Sequence, residues 1–168
     1  MPFTPFHFGP GAALHASSPR HVSFLAFCGA NVLTDVEPLY YMLTHQNPVH
    51  RFFHTIVGAT VTWIVTLTLF LLAIRVGSRL NLPNWFGWRN LTAVPIGIGA
   101  ALGTYSHILL DGVMHSDVSP FAPFTQVNPL LGVISIRALH WVCIAAGIAG
   151  LVLIAGRERQ ASGLEECR

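Results

Sequence analysis

The chain contains no lysine, and charged residues of every kind fill only 10% of its 168 positions. Soluble domains carry roughly 25% charged residues, so this complement cannot cover a water-soluble globule. Set against 52% apolar residues and a mean hydropathy of +0.57, the shortage excludes a disordered chain and a soluble nucleic-acid binder. Cysteine is also scarce. Cys28 and Cys143 lie in apolar runs, Cys167 lies in a polar stretch, and no CxxC occurs. A disulfide scaffold and a thiolate metal site are thereby excluded. The N-terminus lacks the basic region of a signal peptide, and its apolar stretch is interrupted by His7, Gly9, Pro10 and Gly11, so residue 1 reads as the mature start. There is no internal repeat and no low-complexity segment.

What remains is the composition of a small integral membrane protein. Residues 55–74 and 138–156 carry no Asp, Glu, Lys or Arg, and residues 91–110 form a third apolar run rich in Gly and Ala. Each approaches the roughly 20 residues that a bilayer core requires, and small residues suit close helix packing. The apolar segments 8–17 and 20–35 are shorter and read as a partly embedded helical hairpin turning at Ser17-Ser18-Pro19-Arg20. Asn47-Pro48 and Asn128-Pro129 each offer a capping Asn and a first-turn Pro, so helices are predicted over 48–76 and 129–156. A fourth helix is predicted over 91–115. Trp85 and Trp88 suit a membrane interface. The expected fold is an all-α polytopic bundle of three long transmembrane helices plus the N-terminal hairpin. Residues 1–156 form one membrane-embedded domain, and 157–168 a polar, frayed cytoplasmic tail.

The chain is rich in one polar residue, with nine histidines. If consecutive helices alternate direction, His7, Asp35, Glu37, His50, His54, His107, Asp111 and His115 all fall at one end of the bundle, with Arg137 and His140 near it. That end holds four of the seven acidic residues, counting Asp117. His45 also falls there, in a polar loop, and is read as solvated. The opposite end holds Arg20, Arg75, Arg79, Arg89, Arg157, Arg159 and Arg168. The positive-inside rule places the Arg-rich end and the C-terminus in the cytoplasm, and the His/Asp end on the other side, the periplasm in a bacterium. His15 and His21 fall at the Arg end and receive no role.

Three local patterns carry chemistry. His107-x3-Asp111-x3-His115 sets three polar groups on one helical face. An Asp in an apolar helix is costly unless paired or metal-bound, and imidazole with carboxylate is a ligand set for zinc and related divalent ions. The competing reading is a buried His–Asp pair that only packs helices. His50-x3-His54 repeats the spacing and could chelate one ion from one helix, or be two interfacial His flanking a snorkelling Arg51. Asp35-Val36-Glu37-Pro38 closes the second helix; its carboxylates could hold metal or act as general base, or stand in a solvated loop. His7, in an aromatic setting, reads alone as structural. Arg137, inside a predicted membrane helix, calls for an anion: Asp111, Glu37 or a substrate phosphate.

Taken in order, these residues resemble the YdjM-like family of membrane-bound, metal-dependent hydrolases, also described as LexA-binding, inner-membrane-associated hydrolases. The shared pattern is His7, then Thr34-Asp35-Val36-Glu37-Pro38, then His50-Arg51-Phe52-Phe53-His54-Thr55. Gly103-Thr104-Tyr105-Ser106-His107-Ile108-Leu109-Leu110-Asp111 completes it, with Pro120 and Pro123 following. Glu37 stands for the family's second Asp, Pro38 for a frequent His, and the His-Arg motif is one residue shorter. The resemblance implies a bacterial inner (plasma) membrane location and a His/Asp layout similar to that of zinc phospholipase C and helical zinc nucleases.

The expected function is therefore metal-assisted hydrolysis of a phosphoester, a small molecule or a lipid head group reached from the bilayer, with no nucleic-acid partner. The expected cofactor is a divalent metal, zinc before manganese. The expected ligands are His7, Asp35, His50, His54, His107, Asp111 and His115. Glu37 or Asp35 would be the base, and Arg51 and Arg137 the anion clamps. A metal-binding or transport protein, or a structural partner with a polar helix-locking cluster, is the alternative; a transporter should carry polar groups through the midplane, where 55–74 and 141–156 are nearly bare.

Overall fold

A computed structural model describes residues 5–166, without the side chains of 158 and 160–166. The proposed mature start at residue 1, Cys167 and Arg168 lie outside the described residues. The described chain is helical. A one-turn 3-10 segment, Pro5–His7, leads into α1 (Phe8–Ser17), and α2 covers Phe24–Leu43. A second 3-10 turn, Phe52–His54, precedes α3 (Ile56–Arg79); α4 covers Ala93–Met114 and α5 Ile136–Glu166. Three of these helices, Ile56–Arg79, Ala93–Met114 and the Ile136–Arg157 part of α5, are long and apolar enough to cross a membrane. Their outward faces are apolar: Ile64, Leu69, Leu72 and Val76 on α3, and Trp141, Val142, Leu151 and Val152 on α5, are all exposed. Lipid, unlike water, accepts such a surface.

α4 is the centre of the bundle, packed between α2 and α3, while α5 lies mainly against α1. Small residues set the approach of α2 to α4. A Cβ at Gly103 would stand 2.6 Å from the Phe27 carbonyl oxygen, so only glycine allows the two backbones to run this close. Ser23 caps α2 by accepting from the Ala26 N–H, and its own N–H donates to the Pro95 carbonyl at 2.9 Å. Ala26, Ala30, Ile96 and Ala100 form the dry contact between the helices. That contact brings Asn31 and Asp35 on α2 across from His107 and Asp111 on α4.

Several boundaries differ from expectation, each for a physical reason. α2 does not close at Asp35. It passes through the buried Pro38 and ends at Leu43, so Asp35 and Glu37 lie inside a helix. α3 opens at Ile56, not at Pro48. The Glu37 carboxylate accepts the backbone N–H groups of Arg51 (3.2 Å), Phe52 (3.0 Å) and Phe53 (2.8 Å), drawing off donors that a helix there would need. Thr55 is the actual cap, its hydroxyl accepting from the Gly58 N–H at 2.9 Å. A Cβ on Gly58 would overlap the Phe52 carbonyl, so glycine lets the 3-10 turn fold back on the first turn of α3. α5 begins at Ile136, not at 129: the Asn128 oxygen does accept the Leu130 N–H, but its amide is tied to the Gly112 and His115 carbonyls, and the chain turns through Gly132 at φ 71° before the helix opens. At its far end α5 continues to Glu166, so the stretch expected to fray from 157 is helical to that residue.

Candidate metal centre

The parity of the helices is as expected: the C-terminal end of α4, the start of α3 and the second half of α2 meet. His7, Asp35, His54, His107 and Asp111 are buried there, with His54 0% exposed. Asp111 is the hub. Its Oδ2 lies 3.2 Å from His54 Nε2 and 3.2 Å from His107 Nε2. Asp35 Oδ1 lies 3.2 Å from the same His107 nitrogen. Asp35, His54, His107 and Asp111 each offer one ligand atom, all within 4.8 Å of one another.

The hydrogen bonds around His107 fix what it presents. Asn31 donates its amide N–H to the Phe27 carbonyl at 2.9 Å, which turns its carbonyl oxygen to His107 Nδ1, also at 2.9 Å. An amide oxygen only accepts, so Nδ1 carries the proton. Nε2 is thereby left facing two carboxylates, where it would offer a lone pair to a cation or, with no cation, carry a proton toward them. The same bond explains the 3.1 Å approach of His7 Nδ1 to His107 Nδ1: His7 accepts there and carries its own proton on Nε2, 3.4 Å from Asp111 Oδ1. Burial, and then the nearby His107, pull the His7 imidazole down to about 4, so it is neutral near pH 7.

A divalent cation fits this donor set. Five buried atoms of the cluster have no hydrogen-bond partner among the described residues: His7 Nε2, both nitrogens of His54, His107 Nε2 and Asp111 Oδ1. Such orphans cost about 1–3 kcal/mol each. Protons on His54 Nε2 and His107 Nε2 would both be directed at the same Asp111 Oδ2, each from 3.2 Å. A cation shared by His54, His107 and Asp111 satisfies all three. The 3.2 Å separations also match the edge of a tetrahedron of zinc ligands at 2.0–2.1 Å, which is about 3.3 Å.

The remaining expected residues are placed as follows. His50 is not on a helix with His54. It lies in the loop, yet the two rings are 4.6 Å apart, and His50 is also 4.6 Å from His115. His50 Nδ1 donates to Asp117 Oδ1 at 2.9 Å, while Asp117 Oδ2 accepts the Val49 and His50 backbone N–H groups. Burial and the neighbouring His54 hold the His50 imidazole below its usual value, against the pull of Asp117. Burial works against the Asp117 carboxylate too, but the His50 hydrogen bond and charge, with the backbone donors, hold it below the usual carboxylate range. His115 is not on α4 but is the first residue beyond it, at the rim. Glu37 is occupied by the three backbone donors and lies 3.9 Å from His54 Nδ1, beyond a hydrogen bond. Arg51 stacks on Tyr41, 3.7 Å from the ring centre, and its Nε donates to the Pro48 carbonyl. Arg137 is the second residue of the α5 span and not about two turns inside it. It is exposed on the first turn of α5, and no ion pair involving it occurs among the described residues. His140 stacks on Phe6 at 4.4 Å.

Asn31 had no place in the sequence reading. Its signal was an Asn-x3-Asp spacing to Asp35 within an apolar run. Asp117 enters the sequence pattern only as a charge, and its signal is its place two residues after His115. Beside the cluster, Pro48, Arg51, Phe52, Val57 and Pro123, together with His50 and Asp117, line a cavity of about 450 Å³. Comparison with known proteins adds nothing to the geometry: no family model, no curated protein and no solved structure matches the chain.

Proposed function

We propose that this protein is an integral membrane hydrolase that uses a divalent metal, zinc before manganese, on a phosphoester substrate. The observation that carries the reading is the convergence of His54, His107 and Asp111 in a buried group with Asp35, all four offering ligand atoms within 4.8 Å of one another, beside a cavity that contains an arginine. The ordered resemblance of His7, the Asp35 motif, the His50–His54 motif and the His107–Asp111 motif to the YdjM-like family supports it. A transporter is disfavoured by the position of the cluster at one end of the spanning helices.

His54, His107 and Asp111 supply the ligands, a three-residue set of the kind that leaves one coordination position to water or substrate. When bound there, a divalent cation would supply Lewis-acid activation of water and of the phosphoryl group. Asp35, the α2 carboxylate turned into the cluster, accepts the proton of the attacking water. Glu37 holds the loop that carries His54. Arg51 lies on the cavity wall and steadies the phosphate charge. The cavity is otherwise walled by apolar groups such as Phe52, Val57 and Pro123. Phe52 and Val57 are themselves exposed at the start of a spanning helix. That is where the head group of a membrane lipid would lie, and a lipid-linked phosphoester is the substrate class we assign. The Arg-rich end would face the cytoplasm in a bacterial inner membrane.

The experiment is elemental analysis of the detergent-purified chain, followed by phosphodiester and lipid-phosphoester screening, with the His107→Ala/Asp111→Ala double variant in parallel. Bound zinc or manganese that disappears in the variant together with hydrolysis supports the proposal. A wild-type chain that takes up no metal after reloading refutes it and leaves an imidazolium–carboxylate lock between helices.

A further inference from the structure

The ligand atoms fall into two sets around one carboxylate. Asp111 Oδ2 lies between His54 and His107, as described. The other oxygen, Oδ1, is buried without a hydrogen-bond partner among the described residues, and lies 4.0 Å from His115 Nε2. His50, Asp111 and His115 form a second group whose ligand atoms all lie within 4.8 Å of one another. Building on the metal-site reading above, we infer that the centre binds two divalent cations bridged by Asp111. One is held by His54, His107 and Asp111 beside Asp35, and the other by His50, His115 and Asp111.

Three features of the second set point to a ligand. First, His50 is prepared for one. Its Nδ1 proton is committed to Asp117, which fixes the lone pair on Nε2. A carboxylate behind a histidine in this way sets the tautomer and orientation of metal ligands. Asp117 is in turn fixed by two backbone N–H groups at 3.2 and 3.3 Å. Second, His7 Nε2 lies 3.4 Å from Oδ1 but outside hydrogen-bond geometry, and its tautomer turns a proton and not a lone pair to the site, so it leaves Oδ1 open without competing as a ligand. Third, paired metal sites set ions about 3.5–4 Å apart, a span that the two oxygens of one carboxylate can bridge. Only His115 of the two groups reaches solvent appreciably, with 27% of its side chain exposed. His50 is also the one of these ligands that lines the cavity. The second cation is therefore the more exchangeable one, and the one a substrate phosphate meets first.

Manganese loading of the full-length chain in detergent tests this with a readout independent of hydrolysis. The expected wild-type result is two manganese per chain and an exchange-coupled electron paramagnetic resonance spectrum. His115→Ala should keep one manganese and give the spectrum of an isolated ion; Asp117→Asn should weaken the second ion by 10–100-fold and leave the first. Asp111→Asn should lose the coupling in every case. The retained tight ion and an unchanged size-exclusion profile show that the His115 variant is folded. Saturation at one ion in the wild type overturns the inference while leaving the single-metal hydrolase in place. Two uncoupled ions, or two ions in His115→Ala, also overturn it. Two coupled ions without hydrolysis of any phosphoester leave the inference standing and remove the hydrolase reading.

Discussion

Asn31→Leu removes the acceptor that fixes His107 without altering any ligand-bearing side chain. Asn31 is 2% exposed and makes two hydrogen bonds of 2.9 Å, one to the Phe27 carbonyl and one from His107 Nδ1. Leucine is close in volume, so the loss is polar and not a cavity. Removing the outer partner of a metal-bound histidine weakens metal about 10–100-fold, or about 1.4–2.8 kcal/mol. His7 Nδ1, 3.1 Å from the same His107 nitrogen, remains as a second acceptor. The expected loss is therefore at the lower end, about tenfold, deepening toward a hundredfold in Asn31→Leu combined with His7→Ala. Asn31→Asp keeps an acceptor and adds a charge, and should bind zinc within about threefold of the wild type by the same reasoning. Competition with a chromophoric chelator at fixed pH reads all four proteins, and a thermal melt shows that each is folded. Zinc affinity in folded Asn31→Leu equal to that of the wild type would refute the tautomer argument. So would Asn31→Asp binding more weakly than Asn31→Leu.

Three further outcomes follow from the same contacts. Asp35→Asn should retain metal within a few-fold while hydrolysis falls by about 10²–10⁴; loss of metal would instead place Asp35 among the ligands. Glu37→Ala strands three backbone N–H groups and frees the loop that carries His54, at a cost of about 2–3 kcal/mol. Because trypsin cuts after arginine, cleavage after Arg51 should accelerate in this variant, and an unchanged digestion rate would count against the loop-fixing role. Gly103→Ala forces α2 away from α4 and should cost about 1–3 kcal/mol in thermal stability together with metal affinity. Gly156→Ala, where a Cβ meets nothing within 4 Å, should change neither.

Hydropathy and connection length made the architecture legible. Uncharged runs identify spans, and short links make neighbours antiparallel, so alternate helix ends collect at one depth. That was enough to bring His7, Asp35, His54, His107 and Asp111 together from positions up to 104 residues apart, 7 to 111. What was not legible depends on contacts distant in sequence. The start of α3 is decided by Glu37 through backbone donors 14–16 residues downstream of it, which no local pattern reveals. The reach of α2 beyond Pro38 runs against the local rule that proline ends a helix. The expectation of an intramembrane Arg137 rests on a helix start at Pro129. With α5 opening at Ile136, Arg137 stands at the helix mouth and needs no anion.

Helix packing and the candidate site are one arrangement and not two. Gly103 brings the α2 backbone against α4 one turn before His107, and the α2 residue next along that contact is Asn31, followed one turn later by Asp35. The register that fills the dry contact thus delivers an amide to His107 Nδ1 and a carboxylate to His107 Nε2 from the same helix face. A bundle stabilised only by apolar contacts gains nothing from placing imidazoles and carboxylates there, because each orphaned polar atom lowers its stability. A polar lock between helices would be expected to satisfy its own donors and acceptors, as Asn31 does with Phe27. The atoms left unsatisfied are instead those that converge on Asp111. The outer ring is thus hydrogen-bonded, while the centre consists of imidazole–carboxylate contacts at 3.2–3.4 Å, an arrangement that could hold a metal ion.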